Sequence, residues 1–381
     1  MAYTYKVTFN AAESWFFGNE KNFIVPDQKN GKDYSNSYFI KSEFLPSQTA
    51  VLGVLRYILI PNKKPMWQYN EYDKQKNAEC IGKTSFDPDS KDIQEFGKIK
   101  KISPVFIIRD GETLIPVPLD HILYHKENDK DVKNNKYTPF TKYTAHQTSE
   151  DKKLTASEYD AKAGLTDGFV SLADGTVYRN SDIFVTDERT GINRSLTEKG
   201  FFKKQYVAFK TVTKEEKNNK TVRTPHKCSF AVYAEIDEQL DGKQFTVTMG
   251  QGKSPFTVKF EQSENTLCND AESFIGEAGT RHITELDISP SDCSLLYCLS
   301  DCFISEPYDG TLFAVTEVKD YRAFKTNDNG KVEKGALLHR LIKAGSVFIV
   351  PNSQNPLTDR VNKNASNIGF NTILNIGGLS E

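Results

Sequence analysis

Residues 46–60 have the sequence PSQTAVLGVLRYILI, and this stretch decides the fold. Its apolar residues recur at helical spacing, Pro46 suits a first helical turn, and Pro61 ends the pattern. We therefore predict a helix over residues 46–60. Its small residues, Ala50 and Gly53, predict that the helix lies close to a sheet.

Segments typical of strands lie on both sides of this helix. Residues 3–9 alternate polar and apolar side chains with period two, which indicates a half-buried first strand. Two short apolar runs flank the turn Arg109–Glu112 and predict a hairpin. Residues 201–236 contain two alternating runs around a polar tip, which predicts one long protruding hairpin. Few helices and many strands indicate an α+β fold with antiparallel sheets.

The composition limits the kinds of protein that this chain can be. It has 381 residues, 49 Lys and Arg against 51 Asp and Glu, and a net charge of −2. Aromatic residues make up 12%, enough to build a core, so disorder throughout the chain is excluded. The near-zero charge also excludes binding of nucleic acid through bulk positive charge. At roughly 100–200 residues per domain, we expect two domains.

Apolar runs and cysteines predict a cytoplasmic protein without a metal. The longest apolar stretch, residues 50–60, is interrupted by Arg56, whereas a membrane-spanning helix needs about 20 apolar residues. The first five residues have no signal-peptide pattern. Cys293, Cys298 and Cys302 lack a fourth ligand at zinc-finger spacing. We expect buried, reduced thiols.

Two segments have the composition of insertions. Residues 62–101 are rich in lysine and acidic residues and have few apolar positions. Residues 125–153 have almost no aliphatic side chains, which predicts a disordered segment or an exposed loop.

The sequence contains no catalytic motif. His121 and His125 are four residues apart but lack the glutamate of a metalloprotease helix, and no nucleophile elbow, phosphate-binding lysine motif or dinucleotide fingerprint occurs. We therefore predict that the protein is not an enzyme and has no cofactor.

Binding of nucleic acid has stronger support. Residues 198–227 carry nine Lys and Arg against three acidic residues, a balance of +6, with aromatic residues between them. Such a segment attracts phosphates and stacks on bases, although a solvated hairpin with a buried aromatic face has the same composition. The glycine elements Gly250–Lys253 and Gly369–Asn371 would let backbone N–H groups approach a phosphate. Glycine in a strand also marks bulges.

Several segments, taken in chain order, carry a family resemblance. They are Phe44–Arg56 with Leu-x-Gly-x-x-Arg, Ile115–Asp120 with Pro-x-Pro-Leu-Asp, Asp187–Asn193 with Arg-x-Gly-Ile, Met249–Gly252, Ala344–Phe348 and Gly369–Asn371. Together they resemble the RAMP proteins of CRISPR effector complexes, and more narrowly the Cmr-complex subunit that caps the 5′ handle of the guide RNA in type III-B systems. Residues 15–18 depart from that pattern by lacking an Arg-Asp pair, and the last loop has Gly-Phe-Asn instead of a fuller Gly-x-Gly.

The resemblance implies two tandem ferredoxin-like (RRM-like) domains with long insertions and a protruding hairpin. The implied domains are 1–262, with insertions at about 62–101 and 125–165 and a hairpin thumb at about 201–236, and 263–381. Relatives of this kind are not nucleases of the target. They bind the repeat-derived 5′ tag of the guide RNA, dock on the large Palm-domain subunit and the first backbone subunit, and meet target RNA indirectly in antiviral defence.

The resemblance and the charge pattern together predict a protein surface that binds single-stranded RNA. Its members are Ser47, Gln48, Arg56, Arg189, Asn193, Arg194, Gly250, Gln251, Gly252, Lys253, Gly369, Phe370 and Asn371, with Lys203, Lys204, Tyr206, Lys210, Arg223 and Lys227 on the thumb.

Other interpretations stay open. Arg56 has an alternative as an ordinary helix-surface charge, and Arg189 has one as a structural partner of Asp187 or Glu188. The whole chain has two alternatives. One is a RAMP-type, metal-independent guide-RNA endonuclease that uses a histidine as general acid and base. The other is a β-rich binding module without nucleic acid.

Overall fold

The computed structural model describes most of the chain. The described residues are 2–18, 23–24, 38–61, 63, 70–127, 130–147, 152–194, 199–217, 220–279, 281–284, 292–326, 332–335, 337–352, 357 and 362–378.

Helices and strands are numbered in chain order. The helices are α1 (Gln48–Leu59), α2 (Glu71–Ile81), α3 (Asn180–Ile183), α4 (Leu267–Glu277) and α5 (Lys363–Ser366). The strands are β1 (Tyr3–Ala11), β2 (Phe23–Ile24), β3 (Tyr38–Lys41), β4 (Ile99–Ile102), β5 (Phe106–Arg109), β6 (Glu112–Pro116), β7 (Tyr124–Glu127), β8 (Lys130–Lys133), β9 (Lys142–Gln147), β10 (Lys152–Ala156), β11 (Gly168–Ser171), β12 (Val177–Arg179), β13 (Phe184–Arg194), β14 (Lys199–Phe209), β15 (Val212–Lys217), β16 (Lys220–Pro225), β17 (Cys228–Ile236), β18 (Gln244–Met249), β19 (Ser254–Gln262), β20 (His282–Thr284), β21 (Cys293–Cys298), β22 (Phe313–Val315), β23 (Val318–Tyr321), β24 (Phe324–Thr326), β25 (Val332–Lys334), β26 (His339–Ile342), β27 (Val347–Pro351) and β28 (Ile373–Gly378).

A nine-stranded sheet forms the centre of the molecule. Its order is β12-β11-β6-β5-β17-β1-β19-β18, with β4 also paired to β17. The first strand, β1, lies between β17 and β19 and is antiparallel to both. Tyr5, Val7 and Phe9 are fully buried, as the period-two pattern predicts. The predicted hairpin around Arg109–Glu112 is also confirmed, as the pair β5 and β6.

Helix α1 confirms the prediction from residues 46–60, with one correction. It begins after the N-cap Ser47 and ends at Leu59, and its apolar face packs into the core of the central sheet. The expectation that Gly53 lets the helix approach a sheet is wrong. Gly53 is exposed, and a Cβ placed on it would meet no atom within 4 Å.

The single hairpin predicted over residues 201–236 is wrong. Only the predicted polar tip forms a hairpin, the pair β15 and β16, whereas β14 pairs along its whole length with β13, which precedes the predicted range. Strand β17 instead belongs to the central sheet, where it pairs with β1 and β5. Propensity shows that residues 201–209 and 230–234 are strands but does not show their partners, because pairing depends on cross-strand contacts.

The segment predicted as a first insertion, residues 62–101, is folded where the structure describes it. Helix α2 lies beside α1, and β4 joins the central sheet. Phe86 and Phe96 are buried in the same core as α1. A few aromatic side chains are enough to attach this polar segment to the core.

The prediction that residues 125–153 are disordered or an exposed loop is wrong for a large part of that segment. Strand β9 pairs with β10 and β20, and Tyr137, Phe140 and Tyr143 are buried in a second core. The segment is poor in aliphatic residues, so three aromatic rings supply the apolar area that the composition argument missed.

A buried ion pair fastens this segment to the rest of the molecule. The Asp120 carboxylate contacts the Arg281 guanidinium at 2.8 Å, with 0% and 3% of the two side chains exposed. Burial raises the pKa of Tyr137 well above its ordinary value, so the hydroxyl stays protonated and donates to Asp120 at 2.8 Å. Asp120 therefore joins the Ile115–Asp120 segment to Tyr137 and to Arg281, the residue directly before β20.

The C-terminal third adds a four-stranded sheet of order β22-β27-β21-β28, and α4 packs against β28. Its side chains enter both larger cores: Phe370 packs in the core of α1, and Tyr297 packs with Ile115 in the second core. The fold is therefore α+β with mostly antiparallel sheets, as predicted. The tandem ferredoxin-like division at 262 and 263 stays a prediction.

Within the described ranges, no helix is long and apolar enough to cross a membrane. Among these described residues, no three or more potential metal-binding side chains form a group. Cys293, Cys298 and Cys302 are buried free thiols.

Candidate nucleic-acid interface

The turn between β18 and β19 is held against the N-terminal aromatic segment. Gly250 has a φ of +81°, and a Cβ there would lie 2.5 Å from the carbonyl oxygen of Phe16. The backbone N–H of Gln251 donates to that same oxygen at 3.0 Å. Glycine is required at this position because the conformation and the close approach both exclude a side chain.

Arg189 lies on β13 with its guanidinium over an aromatic ring. The guanidinium carbon is 4.2 Å from the ring centroid of Tyr206, which lies on β14. Its Nε donates to Asp187 Oδ2 at 2.9 Å, and its Nη2 donates to Ser14 Oγ at 2.6 Å. Half of the Arg189 side chain is exposed and Tyr206 is partly exposed, so the cation reaches solvent beside the ring that it covers.

Lys204 extends this arrangement. It is the cross-strand partner of Arg189, and its Nζ lies 5.2 Å from the Phe16 ring and 5.3 Å from the Phe202 ring. The same Nζ is 3.4 Å from Gln251 Oε1, and the Phe16 and Tyr206 rings are 5.6 Å apart. We call the group formed by Ser14, Arg189, Lys204, Tyr206 and Gln251, together with the buried Phe16 ring that packs against them, the Arg189 surface.

The strand register explains the Arg-x-Gly-Ile segment. Gly191 pairs with Phe202, and a Cβ on Gly191 would lie 2.2 Å from the Phe202 ring. The glycine therefore makes room for the ring, two residues along the strand from Arg189. On this face of the hairpin, aromatic and basic side chains alternate along β14 as Phe202, Lys204 and Tyr206.

Predicted site residues from distant parts of the chain meet at the Arg189 surface. Arg189, Lys204, Tyr206 and Gln251 belong to it, and Gly252 lies beside it with its Cβ position 3.4 Å from the Tyr206 ring. The sequence prediction missed Ser14 and Phe16. A signal for Phe16 existed in the aromatic-glycine run of residues 15–18, but nothing in that run indicates its partner.

The second glycine element is interior, which corrects its prediction as an RNA surface. Phe370 is 3% exposed and its ring lies 6.1 Å from that of Phe86. Asn371 is 8% exposed, accepts from the Phe303 N–H at 2.6 Å and donates to the Asn362 carbonyl at 2.7 Å. Their side chains are occupied inside the protein and present no surface to a ligand.

Gly369 and Gln48 belong to the same interior contact. Gln48 is 6% exposed and its Nε2 donates to the Ser103 carbonyl at 2.9 Å. A Cβ on Gly369, whose φ is +93°, would lie 1.7 Å from that Nε2. The glycine therefore lets the C-terminal segment approach the start of α1, and Gln48 is not on the surface. Its neighbour Ser47 is exposed and caps α1 by accepting from the Ala50 N–H at 3.2 Å.

Arg56 is engaged with the first insertion. Its Nη2 donates to the Thr84 carbonyl at 2.8 Å, and its guanidinium carbon is 5.2 Å from the Phe96 ring centroid. Burial lowers the pKa of Arg56 to about 10. These contacts attach the insertion to α1, so Arg56 is more than a solvent-exposed helix charge.

The other predicted basic residues are dispersed. Lys203 lies 4.0 Å from Glu188, and Lys210 donates to the Ser181 carbonyl at 3.1 Å. Arg223 lies on the separate β15–β16 hairpin, and Lys227 is an exposed residue whose backbone N–H donates to Asp110. Lys253, with a φ of +51°, is exposed in the turn after Gly250. The side chains of Asn193 and Arg194 lie outside the described residues.

Comparison of the sequence with known protein families identifies the family of this chain. Residues 9–284 match the sequence model of a family of CRISPR-associated proteins. That family is Cas_Cmr3, and because the match covers most of the chain, the protein belongs to it. The family resemblance drawn from the ordered sequence motifs is thereby confirmed.

Two chains in solved structures are similar to this one. The chain is similar to a chain in the cryo-EM structure of the type III-B Cmr-beta bound to cognate target RNA, with a TM-score of 0.46, 13% identity and 98% of both chains covered. It is similar to a chain in the structure of the same assembly with target RNA and AMPPnP in state 1, with a TM-score of 0.44, 13% identity and 98% of both chains covered. No curated protein sequence matches the chain.

Proposed function

We propose that this protein is a non-catalytic subunit of a type III-B CRISPR effector complex and that it binds the 5′ repeat-derived tag of the guide RNA. Membership in the Cas_Cmr3 family supports the general assignment. Docking on the large Palm-domain subunit and on the first backbone subunit is part of the proposal, on the strength of the family resemblance.

The observation that carries RNA binding is the stack of Arg189 on Tyr206 beside the Gly250–Lys253 turn. A half-exposed guanidinium donates to phosphate oxygens, and the partly exposed Tyr206 ring beside it offers a stacking contact to an unpaired base. Because Asp187 already holds Nε, the guanidinium is fixed in orientation before RNA arrives. A fixed donor loses less conformational entropy on binding than a free one.

The charge of the Arg189 surface favours contact with a few nucleotides rather than a long electrostatic track. Asp187 and Glu188 offset part of the charge of Arg189 and Lys203. Binding should therefore depend on stacking and local hydrogen bonds, which suits a short single-stranded tag.

The first test uses the tagged protein purified from its native host, with sequencing of the small RNA that accompanies it. RNAs that share one 5′ repeat-derived end, together with co-purified RAMP subunits, are the expected result. Absence of such RNA and of such partners contradicts the proposal.

The second test measures affinity for the recovered RNA over a range of salt concentrations. Arg189→Ala should reduce the slope of log K against log salt by about one unit, because one phosphate contact is lost. Arg340→Ala is the control, since Arg340 is 76% exposed on β26 and is not part of the Arg189 surface or of the Gly250–Lys253 turn. An unchanged slope for Arg189→Ala removes Arg189 from the RNA site.

The non-catalytic assignment has its own test. Purified protein incubated with its repeat RNA should leave that RNA intact. Cleavage that disappears in a single His→Ala variant would favour a guide-RNA processing endonuclease instead.

A further inference from the structure

Strand β18 is an edge of the central sheet. It pairs with β19 on one side, and within the described part of the chain no strand pairs with its other side. An edge strand presents unpaired backbone N–H and C=O groups to any chain that lies beside it.

The register identifies which backbone groups of β18 face outward. The Pro255 carbonyl accepts from the Ala12 N–H, so the backbone groups of Pro255 point toward β1. Thr248 is the partner of Pro255, and its own N–H and C=O therefore point away from β19. Because this orientation alternates from one residue to the next along an antiparallel strand, the N–H and C=O of Thr246 also point away from β19.

A cleft lies between this edge and helix α1. It has a volume of about 390 Å³, within the usual order for a ligand site. Val54, Val247 and Met249 give it a buried apolar floor, and Ala50 and Gly53 line the side of the helix. Helix α1 packs directly on β18, and its small residues leave the side of the helix beside the strand edge open for a chain that lies along β18.

The ends of the cleft are basic. Lys63 is exposed, and its Nζ lies 4.6 Å from the ring centroid of Tyr57 and 5.9 Å from that of Phe245. Lys253 is exposed in the turn that follows Gly250 at the other end. No charged residue lines the cleft itself within the described part of the chain. The two flanking lysines therefore supply its local charge, which is complementary to an acidic ligand.

We propose that this cleft binds an extended acidic peptide segment of a partner protein, which adds to the central sheet as a strand beside β18. The outward groups of Thr246 and Thr248 alternate donors and acceptors at the spacing of a polypeptide strand. A phosphate backbone offers acceptors alone and would leave the two carbonyls facing oxygen atoms. Alternate side chains of a peptide strand would fill the apolar floor. The cleft borders the Arg189 surface at the Gly250–Lys253 turn, but the inference does not rest on the proposed RNA-binding function.

The test begins with the full chain and a random heptapeptide library displayed on phage. Peptides that bind the wild-type protein should have β-branched or apolar residues at alternate positions and at least one Asp or Glu. Synthetic copies should bind saturably in fluorescence anisotropy. A selection that yields no peptide, or yields peptides without this alternation, overturns the proposal.

Gly53→Leu blocks the cleft without disturbing the fold. The added side chain enters open space, and leucine favours a helix more than glycine does. Peptide affinity should fall about tenfold or more, as expected when one or two backbone hydrogen bonds are lost. Gln75→Leu adds the same side chain at an exposed position of α2 and should leave affinity unchanged. Equal affinity for wild type and Gly53→Leu overturns the proposal.

Thr248→Pro tests the strand-addition geometry. It removes an outward N–H that β19 does not use, a position where an edge strand tolerates proline. Thr248→Pro should weaken binding about tenfold, whereas Thr248→Val, which keeps the N–H, should not. Copies of the peptide that are N-methylated at every amide should fail to bind. Retained binding of these copies assigns the cleft to another ligand. So does displacement of the peptide by single-stranded RNA, if that RNA also binds Gly53→Leu more weakly than wild type.

Discussion

The two glycine elements of this protein look alike in sequence and differ in position. The turn after Gly250 lies at the surface beside Arg189 and Tyr206, whereas Gly369–Asn371 lies inside, against Gln48 and Ser103. In both, a Cβ would collide with a nearby group. A glycine in such a motif therefore indicates that something approaches the backbone closely. In both elements the approaching group belongs to the same chain, and the tertiary fold decides only whether the neighbouring side chains reach the surface.

The largest expected effect is on the stability of the protein, and it distinguishes the two glycine elements. Phe370→Ala should lower the free energy of unfolding by about 3–5 kcal/mol, because it removes a ring from a packed aromatic cluster. Its affinity for guide RNA, measured per folded molecule, should not change. Phe324→Ala is the control, since Phe324 is 56% exposed. A loss of RNA affinity in folded Phe370→Ala would restore the C-terminal element to the RNA surface.

The next effect tests the close approach itself. Gly369→Ala should destabilise the protein by more than about 2 kcal/mol in denaturant unfolding, through both its positive φ and its collision with Gln48. Gly111→Ala is a matched control, because Gly111 has a φ of +94° but no atom within 4 Å of its Cβ position. Equal losses for the two variants would mean that conformation, and not the contact with α1, accounts for the requirement.

The smallest effect concerns the exposed element. Tyr206→Ala should weaken RNA binding by about 1–3 kcal/mol, the usual contribution of one stacked base. Tyr206→Phe keeps the ring face and should bind like the wild type. If both variants bind RNA normally in a titration, the ring is a support for Arg189 and does not contact a base.

The sequence allowed good prediction of elements whose periodicity is strong. Strand β1 and helix α1 follow from local patterns because one face of each is buried. The pairing of β14 with β13 was not predictable in this way, since propensity does not distinguish β13 from β17 as the hairpin partner of β14. Residues 137–143 were misassigned because their aromatic side chains are buried by β20 and by strands distant in the chain.

The candidate site shows the same limit. Arg189, Lys204, Tyr206 and Gln251 were predicted from charge, aromatic spacing and the resemblance, and the fold brings them together. Ser14 joins them through a single hydrogen bond, which no local pattern of residues signals. Phe370 and Asn371 have the right residue types for an RNA site, but their burial depends on Phe86 and Phe303 elsewhere in the chain.

The buried pair of Asp120 and Arg281 has a consequence for how this chain can change in evolution. Both charges are sealed beneath the segment that contains Tyr137, so a deletion of that segment would expose the pair and remove the hydroxyl that Asp120 accepts from. Loss of only one of the two charges would strand the other in the interior at a cost of about 3–5 kcal/mol. A relative that keeps the aspartate of the Pro-x-Pro-Leu-Asp segment but lacks residues equivalent to 137–147 should therefore supply that carboxylate with a different partner, or leave it in contact with water.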